Sequence, residues 1–153
     1  MKTVGIIYNA HIPEALDMSS AIFDALALKK DSWFASAEDL DTLRQRAPET
    51  ELVITIGGDG TILRAVRVTA PYSIPVVGIN MGRLGFMTEI QGHEALEKLP
   101  LYFNGECRVE ERTMLQARVI KGEDGGGPRV DGPYHALNDA VLARGGASRV
   151  VTI

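Results

Sequence analysis

The chain has 153 residues, 45% of them hydrophobic and 24% charged, enough to bury a core in one ordinary domain or two small ones, which excludes a disordered tail. Sixteen basic residues against twenty acidic ones leave a net charge of −4, which argues against non-specific binding to nucleic acid or acidic membranes. The single cysteine, Cys107, excludes an internal disulfide and any multi-cysteine metal site.

The first apolar run, VGIIY at 4–8, is too short for the core of a signal peptide and reads as a buried strand. No stretch approaches the ~18 apolar residues of a membrane span, so the expectation is a soluble, cytoplasmic protein. Pro13 and Glu14 suit the first turn of a helix, and Ala15, Leu16, Ser19, Ile22, Phe23 and Leu26 recur at helical spacing up to Lys29 and Lys30. SWFA at 32–35 predicts a short strand and 37–47 a short helix stopped by Pro48. LVITI at 52–56 is the strongest strand, running straight into Gly57-Gly58-Asp59-Gly60-Thr61, with helical spacing over 62–68. A further strand at 74–79 ends in NMGRLGF. Strands alternating with helices at these spacings predict a parallel α/β sheet covered on both faces.

The texture changes after a last helix at 93–99, and a domain boundary is placed near Leu101. Residues 106–120 partly alternate like a half-exposed strand, 122–132 (GEDGGGPRVDG) reads as a flexible loop, and 134–143 and 148–153 read as strands of an antiparallel domain. Ending on Val-Val-Thr-Ile in mid-strand reads as the N-terminal part of a longer chain. By itself such a piece is expected to be inactive and to associate with copies of itself through uncovered apolar residues such as Met114, Leu115, Val141, Leu142, Val150 and Val151.

Three glycines within four residues let the chain turn sharply and let a bulky ligand reach the backbone. The loop ends a central strand and opens a helix, where free N–H groups favour an anion such as phosphate. Asp59 repels phosphate and needs another purpose; accepting a proton from an attacking hydroxyl is one. The alternative is a tight turn in which Asp59 or Thr61 caps the helix. No Gly-Lys-Ser/Thr follows, so the loop is not a P-loop. His11, His93 and His135 lack metal-ligand spacing and read as structural or solvated. Cys107 reads as an inert thiol in a packed strand.

GGDGTILRAVR, from Gly57, resembles the signature of the NAD kinases, a family grouped with diacylglycerol-type lipid kinases and phosphofructokinases. INMGRLGFMTE is similar to the loop that follows the next strand in NAD kinases, and ALNDAVL at 136–142 to their short Asn-Glu/Asp motif. The resemblance covers essentially the whole chain. It implies a Rossmann-like parallel domain at 1–100, then the first strands of a β-rich NAD-binding domain at 101–153. Members continue well beyond this point with further nucleotide-site segments. The implied reaction is transfer of the γ-phosphate of ATP to the 2′-hydroxyl of the adenosine ribose of NAD, giving NADP, with Mg²⁺ expected on the ATP, although the sequence shows no dedicated carboxylate cage for a metal. The implied proton acceptor is Asp59. Gly57, Gly58 and Gly60 would admit phosphates, Asn138 and Asp139 would hold the NAD ribose, and Phe86 would stack on adenine or else belong to the core. Arg64 and Arg149 match positions near the nucleotide. The family also implies a homo-oligomer, a dimer or tetramer. A lipid kinase of the same superfamily, or a non-catalytic nucleotide-binding fragment, are the alternatives.

Overall fold

A computed structural model describes residues 3–28, 30–82, 85–121 and 129–141. The chain divides into two compact units, Met1–Val109 and Glu110–Ile153.

The first unit is a parallel sheet built on the apolar runs. Its strands are β1 (Val4–Tyr8), β2 (Trp33–Ser36), β3 (Leu52–Gly57), β4 (Val76–Asn80) and the two-residue β5 (Ile90–Gln91), in the order β2-β1-β3-β4-β5. Every residue of β3 is buried, as a central parallel strand covered on both faces requires. The helices are α1 (Pro13–Ala25), α2 (Leu40–Arg46), α3 (Asp59–Thr69) and α4 (Ala95–Phe103). Side chains alternate along each strand, so the sheet has two apolar faces. Ile6, Ile54, Ile56 and Ile79 pack with Ala15 and Ile22 of α1 and Ala95 and Leu99 of α4. Ile7 and Val53 pack on the other face with Leu43 of α2 and Ala65 and Val68 of α3. Gly5 makes room for Trp33: a Cβ there would lie 2.7 Å from Cε2 of the indole, whose Nε1 donates to Thr50 Oγ1 at 2.9 Å.

Because β1 lies between β2 and β3, successive connections leave it in opposite directions. That reversal opens a crevice beyond the carboxyl ends of β1 and β3, where ligands bind in open α/β sheets. The loops after those two strands therefore border that position.

Several elements differ from expectation. α1 ends at Ala25, short of Lys29, and Leu16 is exposed. α2 starts only at Leu40, because the Asp39 carboxylate caps it by accepting from Thr42 N at 3.1 Å. α3 starts three residues early, so Asp59 stands in its first turn, not in a loop. α4 runs through Pro100 to Phe103, and the first unit reaches Val109 where the sequence placed the boundary near Leu101. Cys107 is exposed and outside any strand.

In the second unit β6 (Leu115–Lys121) and β7 (Arg129–Ala136) form an antiparallel ribbon. Residues 106–114, read as strand, precede it as irregular chain, and 129–132, read as loop, are strand. The expected strand at 148–153 lies outside the described residues, as do Arg83, Leu142 and residues 122–128 of the expected loop.

Two helix-starting carboxylates make acid sensitivity predictable. Asp39 is held below its ordinary value of 3.8 by hydrogen bonding to Thr42, and Glu94 below 4.5, chiefly by Lys98 at 2.9 Å. A carboxylate with a depressed folded pKa adds stability above its unfolded value, and that stability is lost as pH falls through the folded value. Thermal melting should therefore be flat from pH 7 to about 5 and drop by a few degrees below about 4, a modest effect because both groups are at the surface. Melting curves across that range test it.

Candidate active site

The glycines after β3 fall into two physical classes. A Cβ on Gly57 would collide with the Thr61 hydroxyl, so the residue is bare because the helix start folds back onto it. At Gly58 and Gly60 nothing lies within 4 Å of where a Cβ would be, so both leave the backbone open to a ligand. Gly58 occupies the cap position of α3, and no side chain caps that end. Thus neither Asp59 nor Thr61 acts as the helix cap.

The Asp59 carboxylate instead reaches across to the loop after β4. Oδ2 accepts from Phe86 N at 2.8 Å and Oδ1 from Met87 N at 3.0 Å. Gly85 lies directly against it: a Cβ there would overlap the carboxylate, 2.8 Å from Cγ, and stand 3.0 Å from Thr88 Oγ1. The two sequence motifs are therefore one construction, joined by a carboxylate with backbone donors on both oxygens. The strands beneath reinforce it. Gly57 pairs with Asn80, and Met81 N donates to Gly57 O at 2.9 Å. Asn80 is buried, and its Oδ1 accepts from Gly82 N at 3.0 Å, shaping the start of the second loop. Gly78 lets α3 settle on β4, since a Cβ there would lie 2.7 Å from Ile62 Cδ1.

Of the other expected residues, Phe86 is fully exposed, so it is not a core phenylalanine. Arg64, on α3, is bound to Glu38 Oε1 at 3.2 Å, and the same oxygen meets His11 Nε2 at 2.8 Å. The His11 hydrogen bond, and after it Arg64, hold the Glu38 carboxyl below the usual carboxylate range. His11 is thus a hydrogen-bond partner of Glu38 at the carboxyl edge of the sheet. Asn138 and Asp139, in the second unit, follow the end of β7 and do not interrupt a strand. They are exposed and bonded to each other, Asn138 Nδ2 donating to Asp139 Oδ2 at 2.9 Å. Arg149 lies outside the described residues. Sequence reasoning missed Gly85, the donors of residues 86 and 87, and Glu38; a glycine 26 positions after Asp59 was the one available signal for the first two.

Among the described residues no group of three or more His, Cys, Asp or Glu side chains is arranged to hold a metal ion, and no helix is long and apolar enough to cross a membrane.

Sheet order, open glycines and tethered carboxylate together define a doubly wound α/β domain whose glycines and carboxylate stand at the switch point, the place where folds of this kind bind ligands. Residues 27–107 match the model of the ATP-NAD kinase N-terminal domain, and the chain belongs to the NAD kinase family. It is 36% identical over its full length to an NAD kinase of Heliobacterium modesticaldum, covering 55% of that protein. A 103-residue stretch, 67% of the chain, is 44% identical to an NAD kinase of Symbiobacterium thermophilum, covering 35% of it. The chain spans about half the length of the curated relatives that it matches end to end. The crystal structure of yeast NADH kinase complexed with NADH superposes with a TM-score of 0.68 at 20% identity, covering 90% of this chain and 47% of the yeast one; at that identity the likeness concerns the fold.

Proposed function

We propose that the protein to which this chain belongs is an ATP-dependent NAD kinase, moving the γ-phosphate of ATP to the 2′-hydroxyl of the adenosine ribose of NAD to give NADP. The observation that carries this reading is the Asp59 carboxylate, fixed by two backbone donors beside the open glycines at the crevice. Asp59 takes the proton of the 2′-hydroxyl as its oxygen bonds to the γ-phosphorus. The bond from that phosphorus to the β–γ bridging oxygen breaks, and ADP leaves. Such a transfer depends mainly on positioning and charge neutralisation. Mg²⁺ brought in on the triphosphate would offset part of its charge.

Gly57, Gly58 and Gly60 form the phosphate-facing turn, and Arg64 and Arg149 supply positive charge to the phosphates. The exposed Phe86 ring is available to stack on adenine. Asn138 and Asp139 offer a donor and acceptors to the vicinal hydroxyls of the NAD ribose. On this reading the first unit handles phosphate, and the second, Glu110–Ile153, begins an NAD-binding domain. The reading also carries a cytoplasmic location and assembly as a dimer or tetramer.

The test is NADP formation by the complete purified protein, followed through a coupled NADP-specific dehydrogenase. ATP- and NAD-dependent NADP production is expected. Phosphorylation of a diacylglycerol-type lipid in its place, or nucleotide binding without turnover, would reject the assignment.

A further inference from the structure

Three side chains from separate parts of the chain meet on one carboxylate oxygen at the carboxyl edge of the sheet. Glu38 follows β2, His11 follows β1, and Arg64 lies on α3, after β3. The His11 loop borders the crevice: Asn9 N donates to Ile56 O at 2.9 Å, Asn9 Oδ1 accepts from His11 N at 3.0 Å, and Asn9 Cβ lies 3.1 Å from where a Cβ on Gly57 would be. All three side chains are substantially exposed, at 75% for His11 and 46% for both Glu38 and Arg64, so the cluster is open to a ligand arriving from solvent.

We propose that Glu38 is an internal competitor for polyphosphate: its carboxylate engages Arg64 and His11, and the phosphate chain of an entering nucleotide must take them over. Glu38 then sets donor affinity in two ways. It engages the guanidinium that would meet a phosphate, and its own charge repels one. Exposed ion pairs are held weakly and are screened by salt, so the exchange is reversible. Arg64 stands five residues along α3 from Asp59, roughly 7.5 Å farther along the axis and about 140° round it. A chain of several phosphates can engage Arg64 and the open backbone at Gly58 and Gly60 together, whereas a single phosphate engages only one of them, so the competition acts mainly on longer phosphate chains. This inference rests on the phosphoryl-transfer reading above, yet its readout does not require turnover.

The probe is inorganic tripolyphosphate, titrated calorimetrically into the complete protein at low ionic strength, with orthophosphate in parallel. Glu38→Gln should tighten tripolyphosphate binding by about three- to tenfold and leave orthophosphate nearly unchanged. The gain should shrink in high salt and become clearly smaller in an Arg64→Ala background, where only the relief of Glu38's own repulsion and the release of His11 remain. Glu38→Ala, melted alongside as a folding control, should move affinity in the same direction. Weaker or unchanged binding in both Glu38 variants overturns the proposal, because Glu38 would then orient Arg64 rather than compete for it. An equal gain without Arg64, or no tripolyphosphate binding by either protein, overturns it too. NADP formation is measured separately, so failure of the competitor and failure of the kinase assignment give different patterns.

Discussion

Asp59→Asn in the complete protein should lower kcat by about 10²–10⁴, the usual cost of losing a general base, while NAD binding changes only a few-fold. Asparagine keeps the size and one acceptor oxygen but cannot take the 2′-hydroxyl proton. The contacts add a second expectation. Both oxygens of Asp59 receive backbone N–H groups, from Phe86 and Met87. An amide can accept only one of those bonds, and it turns its NH₂ toward the other donor. Thermal stability should therefore fall together with kcat. Kinetics, NAD titration and melting of the same preparation separate the two effects. A near-normal kcat would remove Asp59 from the chemistry and leave it as the tether between the loops.

Gly85→Ala should be almost as damaging, although it changes no ionisable group. The added methyl would occupy the space of the Asp59 carboxylate. Relief requires Asp59 to swing away from residues 86 and 87 or the second loop to lift. Overpacking of this kind typically costs about 1–3 kcal/mol, and a displacement of about 1 Å at a reacting group can cost roughly a hundredfold in rate. The result to look for is a kcat loss near that of Asp59→Asn at an intact tripolyphosphate affinity. Gly58→Ala and Gly60→Ala serve as contrasts in stability only, since neither methyl would meet a protein atom, whereas on the proposed reading either would stand in the way of the phosphates. If Gly85→Ala proves as active as wild type, the carboxylate has freedom that its contacts do not suggest.

The sheet was legible because β1, β3 and β4 are β-branched apolar runs, and a buried parallel strand is recognisable from such a run alone. Two-residue β5 has no periodicity to read. The start of α3 was hidden because Asp59-Gly60 are poor helix formers; the turn forms because the apolar face of Ile62, Ala65 and Val68 docks on the sheet. Pro100 should have ended α4, but Leu99 is fully buried, and Tyr102 and Phe103 pack on the same core, which carries the helix past it. The site divides along the same line. Asp59 and the glycines are contiguous in sequence and could be read there. The partner of Asp59 is backbone 27 and 28 residues away, and Glu38 meets His11 and Arg64 across 27 and 26 residues. Strand order alone brings those together, and no spacing rule encodes it.

Trp33 also determines what can be observed of this chain in solution. It is the one tryptophan, seated over Gly5 at the β1–β2 edge with its indole nitrogen bonded to Thr50. Intrinsic fluorescence excited at the indole band therefore reports on the first unit and is blind to the 110–153 segment, whose single tyrosine is Tyr134. Far-ultraviolet dichroism sees both segments. Overlaying the two signals during denaturation distinguishes one cooperative transition from two, without a label.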